Sequence, residues 1–299
     1  MSRSQWVLLA LLSLIWGGSF LFVTVAVREL PTFTIVLVRV ALAAAVLLPV
    51  VVAIGHRLPA TATAWRSYAV MAILNNVLPF SLIVWSQQHI TTGLASVLNA
   101  TVPLWSVVLA YALGTEPLSP NRLVGVLVGI AGVAILVGPE ALGGNSQGVL
   151  GMIGMLGAAF CYGVSGVWAK RFKGTPPIVS AAVQLTCATA MMVPVAALID
   201  HPWALAMPSQ AAVLALIGLG VLATALAYVM FFHIMTVSGP SNAMLVTLLI
   251  PLSAAIFGHL VLDEEILARH IVGGIVIGAA LITIDGRVPS WLFQRLRVT

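Results

Sequence analysis

Arg39 stands seven residues into an apolar run that opens at Thr32. A guanidinium carries five N–H donors and a charge that hydrocarbon does not solvate. At helical rise it lies about 10 Å below the end of that run. It can pair with Glu29, snorkel to the headgroups or meet the carboxylate of a bound solute. Neutral polar residues stand in other apolar runs: Asn75 and Asn76, Asn99, Thr224, Tyr228 and Thr247. At helical spacing Asn99 shares a face with Pro103, Thr247 with Pro251, and Thr224 with Tyr228. A mid-helix proline frees a carbonyl and permits a bend, so Pro79, Pro103 and Pro251 are the expected hinges. Facing a cavity, such carbonyls and amides hold polar ligand atoms; facing a neighbouring helix, they tie it down for about 0.6 kcal/mol each. Trp16 and Tyr162 offer aromatic faces for an apolar side chain or an ammonium group. The candidate binding set is therefore Trp16, Asn75, Asn76, Asn99, Tyr162, Thr224, Tyr228 and Thr247, with Arg39 as a candidate charge contact.

Other chemistries lack their residues. All eight acids lie in or near the expected loops, so no membrane-embedded carboxylate is available to carry a proton or cation. His233 and His259 fall at the ends of apolar runs and read as interfacial or packing residues. Cys161 and Cys187 form neither a disulfide framework nor a metal spacing. Gly218-x-Gly220-x-x-Ala223 imitates a dinucleotide fingerprint but follows no strand. Gly163-Val164-Ser165-Gly166 resembles the serine motif of rhomboid proteases, yet small residues in apolar helices serve packing. The expectation is no enzyme, no cofactor and no metal.

The elements that must position these residues follow from composition. Of 299 residues, 61% are hydrophobic and only 7% are charged. That is too few charges to coat a soluble domain, where about 25% is usual. The chain reads as an all-α membrane protein. A span needs about 20 apolar residues to cross about 30 Å of hydrocarbon. Ten runs qualify: 6–27, 32–54, 67–87, 91–113, 122–138, 148–169, 177–199, 210–232, 240–262 and 270–286. The fifth and tenth are short, and the boundary between the eighth and ninth rests on residues 236–240. Ten spans place Arg3, Arg57, Arg66, Arg122, Lys170, Arg171, Lys173, Arg287, Arg295 and Arg297 on one side and only Arg28 and Arg269 on the other. The positive-inside rule makes that first side cytoplasmic, with both termini there. The net charge of +5 is thus topological and implies no nucleic acid. The first run carries no cleavage site and reads as a retained helix.

The halves resemble each other. At a shift of 148 positions Ala95 meets Ala243, Pro103 meets Pro251, Glu116 meets Glu264 and Gly125 meets Gly273. At 146, Trp16 and Ser19 meet Tyr162 and Ser165. Five spans per half make this an inverted repeat, with 1–139 as the first unit, 140–286 as the second and 287–299 as a cytoplasmic tail. Inverted repeats suit carriers, because they supply two equivalent gates around one central site.

The five-helix repeat, Trp16-Gly17 in its first helix, the Pro103 and Pro251 helices and the Glu116 and Glu264 loops resemble the EamA family of the drug/metabolite transporter superfamily. The overall layout is most similar to its amino-acid exporter branch of the YddG type. The resemblance implies a central cavity lined by helices 1–4 and 6–9, with helices 5 and 10 peripheral. The expected function is an inner-membrane secondary transporter that exports small metabolites, neutral or aromatic amino acids foremost, by alternating access without ATP. Drugs, nucleosides or riboflavin-like aromatics remain rival cargoes, and a non-transporting scaffold or intramembrane enzyme remains the rival class. The expected partners are a small-molecule substrate and the lipid bilayer, for a monomer or weak homodimer.

Overall fold

The computed structural model of the chain describes residues 3–114, 120–137, 146–238 and 246–285, and its long elements are all helical. In chain order they are α1 (Arg3–Ala26), α2 (Thr32–Ala53), α3 (Ala62–Ser86), α4 (Thr92–Ala112), α5 (Pro120–Val137), α6 (Ser146–Phe172), α7 (Pro177–Ile199), α8 (Gln210–Ser238), α9 (Val246–Leu262) and α10 (Ala268–Asp285). Seven helices among the described residues are long and apolar enough to cross a membrane: α1–α4 and α6–α8. The apolar stretches of α5, α9 and α10 are shorter, Pro120–Ile135, Leu249–Leu262 and Ala268–Ile284. Glu116, Glu140, Ala243, Gly286 and the expected tail 287–299 lie outside the described residues.

Several boundaries differ from the hydropathy reading. α3 starts at Ala62 rather than 67 because Thr61 Oγ1 accepts from the Ala64 amide at 3.3 Å. α8 continues six residues beyond 232, to Ser238. Hydropathy marks where hydrocarbon is needed; hydrogen bonding and capping decide where a helix stops.

Four helices depart from regular α geometry, α6 only in a closing 3-10 turn, Ala169–Phe172. α3 contains a π-helical segment, Ile73–Val77, directly before Pro79. Proline has no N–H and its ring strikes the carbonyl four residues back, so the turn widens there. α8 contains a longer π segment, Gly218–Leu226. Its glycines admit close neighbours: a Cβ on Gly218 would lie 2.7 Å from Phe22, and one on Gly220 3.1 Å from the Arg39 carbonyl. Both glycines of the imitation fingerprint thus lie at close packing contacts. α4 is two helices, Thr92–Asn99 and Val102–Ala112, with Pro103 opening the second. α9 runs through Pro251 without a break.

α1 lies against α9, α2 against α7, α5 against α10, and α3 and α4 against α6. Small residues set these contacts, as expected where lipid offers no hydrophobic drive. Gly125 and Gly132 bring α5 onto Ile284 and Ile277 of α10. Gly163 brings α6 onto Trp105. Large apolar residues such as Leu127, Leu198, Leu260 and Ile275 remain exposed on the outside, as lipid-facing residues do.

One end of the bundle is tied by carboxylates. Asp200 Oδ2 accepts from the Thr34 amide at 2.6 Å and from its hydroxyl at 3.0 Å, at the start of α2. Glu29 accepts from the Ser209 amide at 2.7 Å and from its hydroxyl at 2.5 Å, at the start of α8. Glu264 accepts from the Thr92 and Gly93 amides at 2.8 and 3.3 Å, at the start of α4. Each acid belongs to one half of the chain and each capped helix to the other. Thr24 bonds Thr92 at 2.9 Å and Gln88 donates to Thr32 at 2.9 Å, so the α1–α2 and α3–α4 connections share that end.

The two bonds from Ser209, hydroxyl first and amide second, hold the Glu29 carboxyl below its ordinary range. A folded-state pKa below the unfolded one stabilises above the unfolded value and is lost as pH falls through the folded one. Glu29→Gln should therefore melt below the wild type at neutral pH, with the difference closing under acid. Thermal unfolding of the detergent-purified protein across acidic pH checks this; a constant difference at every pH would contradict it.

Candidate functional site

Where α2, α3, α6, α7 and α8 meet, polar side chains from both halves form one connected cluster. The widened turn of α3 carries Asn75 and Asn76. Asn75 Nδ2 donates to Gln184 Oε1 at 3.2 Å and to Tyr228 Oη at 3.4 Å. Asn75 Oδ1 accepts from Ser165 Oγ at 3.1 Å. Asn76 Nδ2 donates to Tyr228 Oη at 3.4 Å, while its Oδ1 is buried with no hydrogen-bond partner among the described residues. The π segment of α8 carries Thr224, whose hydroxyl donates to the Leu219 carbonyl at 2.8 Å and accepts from Arg39 Nε at 3.0 Å. The Arg39 guanidinium sits 3.7 Å from the centre of the Phe80 ring. Tyr162 and Tyr228 are its electrostatic neighbours.

An aromatic wall adjoins the cluster. Trp16 Nε1 donates to the Ala223 carbonyl at 3.2 Å, and its ring lies 5.3 Å from Phe231. Phe232 continues the wall, 5.8 Å from Phe231 and 6.0 Å from Tyr228. A cation, amides, hydroxyls and aromatic faces are groups that can orient a bound ligand. Among the described residues no group of three His, Cys, Asp or Glu could hold a metal ion.

Trp16, Arg39, Asn75, Asn76, Tyr162, Thr224 and Tyr228 thus fall in one neighbourhood. Asn99 and Thr247 go elsewhere. Asn99 ends the first segment of α4, and its buried Oδ1 has no partner among the described residues. Thr247 and Pro251 line a groove of about 310 Å³ between α4, α9 and α10. A second cavity, about 320 Å³, lies at the end opposite the carboxylate caps, between Arg57, Tyr68 and Arg171. No cluster residue lines either cavity. Arg39, Asn76 and Thr224 are buried within the cluster, while Trp16, Asn75, Tyr162 and Tyr228 are half-buried.

Three contributors escaped the sequence reading: Phe80, Gln184 and Ser165. Gln184 was legible as an amide in the middle of the seventh apolar run. Ser165 was visible as the repeat partner of Ser19 and in the Gly163-Val164-Ser165-Gly166 motif, and neither pointed to this cluster. Phe80 carried no signal, because an aromatic residue in an apolar helix is unremarkable until a cation lies on it.

The model of the EamA-like transporter family matches residues 4–138 and again 149–284. The uncharacterized transporter YoaV of Bacillus subtilis is 25% identical over 291 residues, covering 96% of each chain. An uncharacterized transporter of Archaeoglobus fulgidus is 26% identical over 282 residues, 92% of this chain and 95% of that one. The uncharacterized inner membrane transporter YedA of Escherichia coli is 25% identical over 248 residues, 83% of this chain and 79% of its own. A solved crystal structure of an 18% identical protein superposes with a TM-score of 0.67 over 99% of both chains, which shows a shared fold.

Proposed function

The chain belongs to the EamA-like transporter family, and from that premise we propose that it is an inner-membrane secondary carrier exporting small metabolites, neutral or aromatic amino acids foremost, by alternating access without ATP. The observation that carries this reading is the cluster itself: polar and aromatic groups from both matched segments meet inside a bundle of membrane-crossing helices. The cargo fits the groups present, since amides and a cation suit a zwitterion and the Trp16–Phe231–Phe232 wall suits its side chain.

Ten spans in two inverted five-helix units are part of the proposal, and local geometry supports them. At the shift of 148 that brings Pro103 onto Pro251, Asn76 falls on Thr224 and Phe80 on Tyr228. The two π segments then coincide, Ile73–Val77 falling within Gly218–Leu226. At the shift of 146, Ser19 donates to the Trp16 carbonyl at 2.6 Å and Ser165 to the Tyr162 carbonyl at 2.8 Å. Equivalent residues make equivalent bonds in the two copies. The orientation proposed, with both termini cytoplasmic, places Arg57, Arg66, Lys170, Arg171 and Lys173 inside and the three carboxylate caps outside. In this reading the tied end is the outer one, and the conformation described corresponds to a state closed to the outside. Pro79 and Pro103 mark the bends that would open it, and the protein works as a monomer or weak homodimer.

Counterflow of labelled neutral and aromatic amino acids in proteoliposomes tests this. Saturable flux that needs no ATP and persists without a proton gradient is expected. Asn76→Ala and Tyr228→Ala should each lower flux several-fold with folded protein retained, a hydrogen bond at this site contributing about 1 kcal/mol. Flux of other solutes alone would move the cargo to another class, and no saturable flux of any solute would replace the carrier with a scaffold.

A further inference from the structure

Arg39 is the only charged side chain that is buried among the described residues, at 6% exposure. Its contacts there are Thr224 Oγ1, the Phe80 ring and the electrostatic neighbours Tyr162 and Tyr228, and none is a carboxylate. The two sequence-level escapes are closed. Glu29 is engaged by Ser209. The guanidinium turns inward, onto α3 and α8, rather than outward to headgroups. One of its five N–H groups is used for Thr224, and hydrocarbon leaves the charge uncompensated.

An acceptor in the opposite condition stands on α3. Asn76 is fully buried, at 0% exposure, and its Oδ1 has no partner among the described residues. Phe80, under the guanidinium, follows Asn76 by one turn on α3. Tyr228, bonded to Asn76, follows Thr224 by one turn on α8. The unused donors and the bare acceptor therefore belong to one site, walled by aromatic rings.

We propose that Arg39 anchors the carboxylate of the carried solute and Asn76 Oδ1 accepts from its amino group, so that the cargo class is solutes with a single carboxylate, α-amino acids above all. One cation neutralises one carboxylate. A dicarboxylate or a phosphate dianion would leave a negative charge in the membrane interior, and an amine without a carboxylate would meet the bare guanidinium. The planar fork also gives a bidentate contact that a lysine cannot reproduce. This inference rests on the carrier reading for its transport arm and stands apart from it in its binding arm.

The experiment pairs each neutral amino acid with its amide, which keeps the shape and loses the carboxylate. In proteoliposome counterflow, acids that are carried should outrun their amides by about tenfold or more, the scale of a lost charge-assisted bond. Arg39→Gln should abolish that preference. Arg39→Lys should keep the preference with weaker apparent affinity, and it supplies the reading should Arg39→Gln fail to fold. Amides carried as well as acids, or an undiminished preference in Arg39→Gln, would overturn the anchor while leaving a carrier. No saturable flux of any pair would overturn the carrier, and thermal unfolding of the detergent-purified protein then decides the anchor. Acids that raise the wild-type melting temperature, but neither that of Arg39→Gln nor, where that variant does not fold, that of Arg39→Lys by as much, sustain it. The absence of any rise with any acid removes it.

Discussion

Gly17→Val should leave little folded protein, because it forces α1 away from α9. A Cβ at Gly17 would lie 2.1 Å from Ser253 Oγ, 2.8 Å from Ser253 Cβ and 2.9 Å from the Ala254 amide nitrogen. The first two belong to a short side chain held in place by its bond to the Ser13 carbonyl at 2.7 Å. The third is backbone inside a helix and cannot move aside alone. Overpacking by a few atoms costs about 1–3 kcal/mol, and more where backbones must separate. Membrane helices associate through close packing and hydrogen bonds, so parting α1 and α9 loses both at once. Yield and melting temperature in detergent should fall steeply for Gly17→Val and less for Gly17→Ala. Gly166→Ala, where an added Cβ meets nothing within 4 Å, is the control and should match the wild type. A Gly17→Val variant that melts with the wild type would mean that the two helices do not touch here.

Removing the carboxylate caps should open the end of the bundle they tie. Each accepts bonds at the first turn of a helix in the other half, where amides lack partners and the helix dipole favours an anion. A lost cap weakens the helix start it serves, so Glu29→Gln, Asp200→Asn and Glu264→Gln together should loosen three junctions between the halves at once. On the proposed carrier mechanism, rocking of one half against the other would release these same bonds. A cysteine at Ser96, fully buried in α4, reports the opening in a background with Cys161 and Cys187 replaced. A membrane-impermeant maleimide should label it far faster in the triple variant. Glu264→Ala alone should speed amide exchange at Thr92 and Gly93 and leave Thr34 unchanged. Equal labelling of triple variant and parent would show that the caps do not govern access.

The helical membrane class was legible because burial in lipid imposes long apolar runs, and those runs survive any detail of packing. Trp16, Asn75, Asn76, Thr224 and Tyr228 were legible for the same reason: a polar or amphipathic group in such a run must be satisfied by something. Which of them meet was not legible. Asn99 and Thr247 follow the same pattern as Asn75 and Thr224, yet helix rotation sends Thr247 to a groove beside α10 and leaves Asn99 at the break in α4. On α3 and α8 the rotation depends on the π segments, and these leave no hydropathy trace. Pro79 hinted at one; the glycines of the other read as a false cofactor motif. Pro103 and Pro251 show the limit of residue type, since one opens a helix and the other lies within an unbroken one.

The widened turns of α3 and α8 have a consequence for chain length. A π turn holds one residue more than the α ladder needs, and everything beyond it is rotated by that surplus. Losing a single residue from Ile73–Val77 would let the ladder close into ordinary helix and swing Asn75 and Asn76 away from Tyr228, though no atom of either amide had changed. These two stretches should tolerate many swaps of apolar side chain and no insertion or deletion at all. Their information lies in counting.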